Sequence, residues 1–536
     1  MSTKTCHNSC RAFAFFAAFI CTTGLANDVS TPPAQSLSKI SAEPITLDIH
    51  FHYHDRLKAV YNNDWGVEKQ ASSITGISLN NVTVKNAVSG NEAFNLLMAS
   101  GELPDIVGGT GLRERFNQYG PSGHFLPLNN LIEEHAPYLK SYFDNNPNIL
   151  KAISAADGNL YHIPYVPDGK FGRAYFVRTD WLEKLDLPIP DNIDELYKTL
   201  VSFKTLDPNG NGEADEIPFF ARNVEELIRL VTLWDARTTG SDTWHDFYIS
   251  DGIVRHGYVE ENYRTGMSHL AKWYSEGLID KDVYTRTGNV RTELLGSNRG
   301  GMTHDWFAST SSYNERLHDE IPDFAFKPFA PPLSVSGKRI EEHRRTAIKP
   351  DGWAITKTNK HVIETIKYFD FWFSPQGKRL ANFGVEGQEY TMINGKPVFT
   401  DEVLNGDMPV NARLWTVGAQ VPRGFPQDYE YEKQWTNEIA LAGIELYEKG
   451  DFLLEPFHGV SLNTGEKEII DFYWKDILAF MLERQADWLL GLRDVNDDWD
   501  NYLARIEKLG FKKVMDVMQS AYTRQYTVPL TAEVEE

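Results

Sequence analysis

The sequence predicts an α/β protein built as two lobes, and three observations support this fold class. The chain has 536 residues, which is too long for one ordinary hydrophobic core, so two lobes are expected. Hydrophobic residues make up 41% of the chain and charged residues 24%, which is typical of a globular protein. Strand and helix patterns alternate near the start, which indicates a parallel sheet whose ligand sites lie at the carboxyl ends of its strands.

The first lobe begins with a β-α-β-α-β pattern. Apolar residues alternate in the first strand, and Phe94, Leu97 and Met98 share one face of the second helix. The third strand ends in Gly108 and Gly109. The pattern predicts strands over residues 45–53, 82–87 and 104–107 and helices over residues 67–75 and 91–100.

The rest of the chain is expected to visit each lobe more than once, because no single linker stands out. Prolines and a glycine over residues 164–169 predict one passage between the lobes, and a proline pair at 331–332 predicts another. Further strands are predicted over residues 300–308, 324–332 and 352–356, and helices over residues 361–373 and 469–526. The resulting boundaries are 27–166 and 328–395 for the N-terminal lobe and 167–327 and 396–536 for the C-terminal lobe.

Residues 1–26 have the features of a cleavable secretory signal peptide. A basic N-terminus precedes an apolar run over residues 12–21, and Gly24 and Ala26 supply the small residues that a signal peptidase reads. All three cysteines lie before a cut after Ala26, so the mature chain would form no disulfide. Cys21 follows Ile20 instead of a small residue, which argues against a lipid anchor.

The formal net charge of −22 restricts the partners of the chain. An acidic surface repels nucleic acid and anionic lipid, so we expect no nucleic-acid partner. An anionic ligand remains compatible with this charge, because a cleft can be locally basic on an acidic protein.

Residues 206–218, LDPNGNGEADEIP, form a predicted calcium loop. Side-chain oxygens recur at every second position, glycines allow tight turns and two carboxylates follow, which is the ligand chemistry that calcium prefers. Gly212 stands at the sixth position of an EF-hand loop, but Pro218 stands at the twelfth in place of Glu. The alternative is a solvated Asp/Asn/Gly turn. The predicted ligands are Asp207, Asn209, Asn211, Glu213 through its main-chain carbonyl, Asp215 and Glu216.

Four further stretches occur with this loop in a consistent order along nearly the whole mature chain. They are FNLLMASGELPDIV (residues 94–107), VRTDWLEKLDLPIPDNIDELY (177–197), NFGVEGQEYTMINGKP (382–397) and WDNYLARIEKLG (499–510). Together they resemble the extracellular solute-binding proteins of ABC importers, in particular the large members that handle oligosaccharides. The resemblance implies the two-lobe periplasmic binding protein fold, with a hinge and a ligand cleft between the lobes.

The size, the calcium loop and the lack of a lipid-anchored cysteine make the chain most similar to the alginate-binding proteins of the Gram-negative periplasm. This resemblance implies a monomeric periplasmic protein that delivers an acidic oligosaccharide to ABC permease subunits in the inner membrane. It also implies that the calcium ion is structural and not catalytic. It does not fix the sugar, since related proteins bind other polysaccharide fragments, and a neutral or pectin-type oligosaccharide stays open.

Sugar-binding residues are expected among aromatic side chains, which stack on C–H surfaces, and arginines, whose forked geometry suits a uronate carboxylate. Trp306 follows a short predicted strand, where a lobe edge would meet the cleft. The basic cluster over residues 338–345 is interpreted as a solvated hairpin or as a rim that attracts anionic chains. The predicted ligand-binding residues are Trp306, Trp415, Tyr165, Arg423, Arg413, His52 and His304.

A histidine triplet is the strongest indication of a different function. His50, His52 and His54 alternate at the end of the first strand and share one face, as in metal-dependent hydrolases. Later strand ends supply no convincing further ligands, and the sequence has no GxSxG, HExxH or P-loop motif. Paired carboxylates of a glycosidase need not be close in sequence. We therefore predict a binding protein and no enzyme, with a secreted carbohydrate-active hydrolase as the alternative.

Overall fold

Two main β-sheets organise the chain, and each consists of strands from distant parts of the sequence. The computed structural model describes residues 39–52, 61–83, 87, 89–238, 247–286, 288–342, 348–349, 351–454 and 457–527. These residues belong to one compact unit, Ser36–Glu536. The strands are β1 (Ile45–His52), β2 (Ile77–Asn81), β3 (Ile106–Gly109), β4 (Ile163–Pro164), β5 (Arg173–Arg178), β6 (Ile217–Phe219), β7 (Phe247–Ser250), β8 (Ile253–His256), β9 (Gly300–Trp306), β10 (Phe326–Phe329), β11 (Gly352–Ile355), β12 (Tyr390–Ile393) and β13 (Lys396–Phe399).

Helices connect the strands and make up most of the C-terminal region, as predicted. The α-helices are α1 (Gly66–Thr75), α2 (Gly90–Ser100), α3 (Arg113–Tyr119), α4 (Asn129–His135), α5 (Pro137–Asn145), α6 (Pro147–Ile153), α7 (Thr179–Lys184), α8 (Ile193–Thr205), α9 (Val224–Ile228), α10 (Glu261–Ser275), α11 (Val290–Gly296), α12 (Phe307–Ser311), α13 (Tyr313–Leu317), α14 (Val362–Phe371), α15 (Pro375–Phe383), α16 (Asp401–Asn405), α17 (Val410–Thr416), α18 (Glu430–Lys433), α19 (Glu438–Gly450), α20 (Thr464–Leu489), α21 (Val495–Lys508) and α22 (Phe511–Tyr522). Short 3₁₀ helices cover Arg229–Trp234 and Gly257–Val259, and a π-helical turn covers Thr523–Thr527. No helix in the described part of the chain is both long and apolar enough to cross a membrane.

The first sheet has the strand order β2-β1-β3-β11-β4. β1 pairs in parallel with β2 and β3, which confirms the predicted β-α-β-α-β start. β11 is antiparallel to β3 and β4. Leu47 and Ile49 of the inner strand β1 are completely buried.

The second strand begins and ends earlier than predicted. Gly76 ends α1 in the left-handed conformation, with φ 77°, and the chain enters β2 at the next residue. Ile77 and Leu79 are buried in the core, whereas Val82 is 43% exposed. The predicted range of 82–87 is therefore corrected to Ile77–Asn81, and residues 84–86 lie outside the described part.

The second sheet has the strand order β10-β5-β9-β6. β6 is parallel to β9, and β5 is antiparallel to both β9 and β10. The chain passes from the first sheet to the second between β4 and β5 and returns between β10 and β11. The exact residues at which the lobes were expected to begin and end stay a prediction.

Each sheet has its own hydrophobic core. Trp372 is buried in the cluster around the first sheet, and Trp181 and Trp273 are buried in a cluster beside the second. Trp474 is partly buried against the latter cluster. The chain after β13 also packs with the first sheet, through Phe399, Val403, Leu414 and Phe425.

Candidate functional site

The ends of β1, β3, β4 and β11 meet at one edge of the first sheet. The chain leaves this edge to enter the second sheet. The carboxyl end of β1 pairs there with that of β3, through His52 and Gly109. The Tyr165 N–H donates to the Asp351 carbonyl over 3.1 Å, and the Gly111 N–H donates to Asp351 Oδ1 over 3.0 Å. These bonds tie the first passage between the sheets to the edge at which ligand sites of parallel sheets lie.

Gly109 is required at this edge because the strands approach closely. Its φ is 146°, and a Cβ atom would lie 2.6 Å from the His52 carbonyl oxygen. A larger residue would therefore be strained and would push β1 away. The glycine pair that ends the predicted third strand thus has a structural cause.

The corresponding edge of the second sheet presents an aromatic ring over a buried cation. Trp306 ends β9 and pairs in register with Arg173, which begins β5 directly after the first passage. The guanidinium carbon of Arg173 lies 4.8 Å from the centre of the Trp306 ring. Arg173 is 4% exposed, whereas Trp306 is partly exposed. The predicted position of Trp306 at the edge of the sheet agrees with this geometry, and its contact with sugar stays a prediction.

Beneath this ring lies a cluster of ionised side chains, which we call the arginine cluster. It contains two buried carboxylates, Glu226 and Asp305, and the four arginines Arg173, Arg222, Arg229 and Arg291. Glu226 lies 2.6 Å from Arg173 and 2.5 Å from Arg222. Asp305 is completely buried and lies 3.4 Å from both Arg222 and Arg291.

The arginine cluster holds more positive than negative charge. Burial favours the neutral form of Glu226, but Arg173 and Arg222 outweigh it and lower the pKa of Glu226 to about 2. Burial lowers the pKa of Arg173 to about 10, and the nearby positive charge of Arg229 contributes to that shift. Arg229 Nε and Nη1 are buried and have no hydrogen-bond partner among the described residues.

The predicted histidines occupy buried positions near the two edges. His52 is 8% exposed, and its Nδ1 has no partner within the described ranges. Burial lowers the pKa of His50 to about 4, and the nearby His52 adds to the shift. His304 Nε2 lies 2.8 Å from Glu341 Oε2. His54 lies outside the described residues, and no group of three or more His, Cys, Asp or Glu side chains elsewhere in the structure is arranged as a metal site.

Three of the other predicted ligand residues lie near the first sheet. Tyr165 is 9% exposed and packs on Phe425, with ring centres 5.1 Å apart. Trp415 is partly exposed near the end of α17. Arg413 lies two residues earlier and pairs with the exposed Glu402 over 3.0 Å. A role in sugar binding stays a prediction for all three.

Arg423 is placed in the core of the first lobe. It is 1% exposed and pairs with the buried Glu68 of α1, while its Nη2 donates to the Gly418 carbonyl over 2.7 Å. Its guanidinium also lies 4.5 Å from the centre of the Trp372 ring. These contacts favour a structural role, and the predicted contact of Arg423 with ligand stays untested.

The basic cluster begins in a tight turn, which fits its interpretation as a hairpin. The Ser334 N–H donates to the Lys338 carbonyl over 2.8 Å, and Arg339 pairs with Asp191. An open groove of about 530 Å³ lies between this turn and residues 450–454. Residues 343–347 lie outside the described part, so the structure describes only the first half of the cluster.

The predicted calcium loop is folded around its own side-chain oxygens. Both carboxylate oxygens of Asp207 accept main-chain N–H groups, from Gly210 over 2.9 Å and from Gly212 over 3.0 Å. The Asn211 side-chain oxygen accepts from Glu213 N–H over 2.7 Å. Asp207, Gly210 and Gly212 have positive φ values, so the loop turns tightly as its composition predicts.

Glu216 is the residue of this loop that best fits a bound cation. It is 1% exposed, and neither carboxylate oxygen makes a hydrogen bond of ordinary geometry to a described residue. Burial raises the pKa of Glu216, nearby main-chain N–H groups oppose the shift, and Asp207 and Asp215 reinforce it. A buried carboxylate without a partner is costly, and a divalent cation would compensate it.

Sequence reasoning missed the arginine cluster. Arg173, Arg222 and Arg291 stand in three separate segments, and only the pairing of β5, β6 and β9 brings them together. The position of Arg222 could have indicated the cluster, because Arg222 comes three residues after the end of β6. Trp306 likewise stands at the end of a strand, β9. Charged residues at such positions mark the ligand edge of a sheet.

Residues 73–379 match the model of the bacterial extracellular solute-binding proteins, and the chain belongs to this family. Its fold is the two-lobe fold of these proteins, and it is a solute-binding component of an ABC importer. The chain is 47% identical to the alginate-binding protein AlgQ2, in a crystal structure without calcium ion, with a TM-score of 0.75 over 91% of this chain and 100% of that one.

The fructooligosaccharide ABC transporter substrate-binding protein FusA of Streptococcus pneumoniae is a more distant relative. It is 25% identical over 80% of this chain and 82% of its own length. A structure of a FusA EF-hand mutant with fructo-nystose has a TM-score of 0.65 at 21% identity, over 90% of this chain and 99% of that one. At that identity the structural likeness supports the fold alone.

Proposed function

We propose that this chain captures acidic oligosaccharides, alginate or a similar oligouronide, in the cleft between its two lobes. The observation that carries the proposal is the partly exposed Trp306 ring on Arg173, at the sheet edge beside the first passage. An aromatic face and a surplus of arginine suit a uronate, which has both C–H surfaces and a carboxylate. The 47% identity to an alginate-binding protein supports the same ligand class.

Capture would proceed by closure of the lobes about the passages between the sheets. A ligand that contacts both lobes stabilises the closed state over the open one, and this difference in affinity drives the motion. We propose that Trp306, His304, Trp415, Tyr165, Arg413 and His52 provide ligand contacts, whereas the buried pair with Glu68 favours a structural role for Arg423. The packing of residues 399–425 favours extending the second part of the N-terminal lobe beyond residue 395.

The ligand would then pass to permease subunits in the inner membrane. We propose that the chain acts as a monomer in the periplasm, after removal of residues 1–26, and that it binds no nucleic acid. Its formal charge of −22 supports the last point. Co-purification with membrane permease subunits in the presence of ligand, and size-exclusion chromatography of the mature chain, test these statements.

Calcium would pin the loop over residues 206–218 in the second lobe. Asp207, Asn209, Asn211, Asp215 and Glu216 would supply side-chain oxygens and Glu213 its carbonyl, which are the oxygen ligands that calcium prefers. The buried carboxylate of Glu216, which makes no hydrogen bond of ordinary geometry to a described residue, supports this assignment. The role is structural, because the loop precedes β6 at the end opposite to Arg222.

Calorimetric titration of the mature chain tests the ligand class. Short alginate oligosaccharides should bind tightly, and a neutral oligosaccharide of equal length should bind at least tenfold more weakly. Tight binding of the neutral or a pectin-type chain alone would keep the family and overturn the ligand. Each mixture should be checked for new reducing ends or unsaturated products. Turnover of the sugar would overturn the assignment as a binding protein and favour a carbohydrate-active hydrolase.

A further inference from the structure

Arg229 is the cation of the arginine cluster without a protein partner in the described part of the chain. It belongs to the 3₁₀ helix that follows α9 and stands three residues after Glu226. The carboxylate of Glu226 is already shared by Arg173 and Arg222. Arg229 Nε and Nη1 are both buried and make no hydrogen bond to a described residue, although the side chain as a whole is partly exposed.

The balance of the cluster explains why an anion is expected there. Arg173, Arg222 and Arg291 pair with two carboxylates, and Arg229 adds a fourth positive charge near Arg173, so positive charges exceed negative ones by two within this set. Buried charge without a partner is strongly unfavourable, and an anionic ligand removes the penalty. The planar fork of a guanidinium pairs with a carboxylate through two parallel hydrogen bonds.

We infer that Arg229 binds a carboxylate of the ligand and so selects acidic over neutral or esterified sugars. The inference rests on the proposed function, because it places a uronate carboxylate at Arg229 beside the Trp306 face. Arg173 interacts with both features: its guanidinium carbon lies 4.8 Å from the centre of the Trp306 ring, and it is near enough to Arg229 for their charges to interact. Asp305 and Glu226 hold Arg173, Arg222 and Arg291 in place, which leaves Arg229 to the ligand.

The test uses calorimetry with two probes of equal length, a short alginate oligouronide and the same oligouronide with its carboxylates methyl-esterified. The full mature chain should bind the acidic probe at least tenfold more tightly, and this difference should shrink as salt is raised. Arg229→Gln should abolish most of the difference by weakening only the acidic probe. Arg229→Lys, which keeps the charge but loses the fork, should retain part of it.

Arg505→Gln is the matched control, because Arg505 is exposed on α21. The substitution removes one positive charge outside the arginine cluster. It should leave both affinities unchanged. Equal affinity of the wild-type chain for the two probes would overturn the inference but would leave the binding of oligosaccharide intact. This comparison requires no variant. Undiminished preference in folded Arg229→Gln would also overturn it. Failure of the wild-type chain to bind either probe would overturn the proposed function together with the inference.

Discussion

Arg173 and Trp306 stand opposite each other on β5 and β9, and the Arg173 guanidinium carbon lies 4.8 Å from the centre of the Trp306 ring. The cation therefore supports one face of the ring, while Trp306 itself is only partly buried. This arrangement fixes the orientation of the indole before any ligand arrives. A preorganised face costs less entropy on binding than a mobile one.

The first prediction concerns this face. Trp306→Ala should weaken the binding of acidic oligosaccharides roughly 10- to 100-fold, since burying a large apolar side chain against a ligand is worth about 1.5–3 kcal/mol. Titration calorimetry measures the change. Phe472→Ala is the control, because Phe472 is 73% exposed on α20 and its loss should leave the affinity unchanged. Equal affinities for wild type and Trp306→Ala would remove Trp306 from the site.

The second prediction concerns Glu226. Its pKa of about 2 lies below the ordinary 4.5, so its stabilising effect is complete above about pH 4.5 and is lost as the pH falls towards 2. Glu226→Gln should therefore lower the free energy of unfolding at pH 7 by roughly 3 kcal/mol and flatten its dependence on pH below 4.5. Denaturant unfolding at several pH values measures both effects.

Glu225→Gln serves as the neighbouring control for that measurement. Glu225 is exposed one residue earlier on the same helix, and its substitution should change the stability at pH 7 by less than about 0.5 kcal/mol. If Glu226→Gln and Glu225→Gln have the same free energy of unfolding at every pH, the ion pairs of Glu226 do not stabilise the fold as described.

The third prediction concerns calcium. With free calcium 100-fold above its dissociation constant, the ion should stabilise the chain by about 2.7 kcal/mol, and a chelator should lower the Tm accordingly. Glu216→Gln should abolish most of that response. Glu213→Gln should preserve it, because only the main-chain carbonyl of Glu213 is assigned to the ion. A chelator without effect on the Tm of a verified calcium-loaded sample would contradict the structural role.

The fourth prediction separates a structural from a ligand-binding role for Arg423. Because Arg423 and Glu68 form a buried pair, Arg423→Gln should destabilise the chain by about 3–5 kcal/mol and leave sugar affinity unchanged at a temperature where it is folded. Arg413→Gln should cost less than about 1 kcal/mol, since its partner Glu402 is exposed. A folded Arg423→Gln variant that loses sugar binding would restore the original assignment.

The sequence predicts the alternating start of the first sheet and places Trp306 at a strand end, because periodicity and glycine positions are local signals. It does not reveal that Arg423 pairs with Glu68, since the partners are 355 residues apart. The arginine cluster was missed for the same reason: β5 runs between β9 and β10, and that order cannot be derived from local pattern. Ion pairs between distant segments follow from topology.

The most direct test of capture between two lobes is small-angle X-ray scattering of the mature chain with and without ligand. Saturation with a short alginate oligosaccharide should lower the radius of gyration, because a ligand held by both lobes favours the closed state. Trp306→Ala at the same ligand concentration should show a smaller decrease. An unchanged radius of gyration at verified saturation, or a decrease with the neutral oligosaccharide alone, would contradict the account.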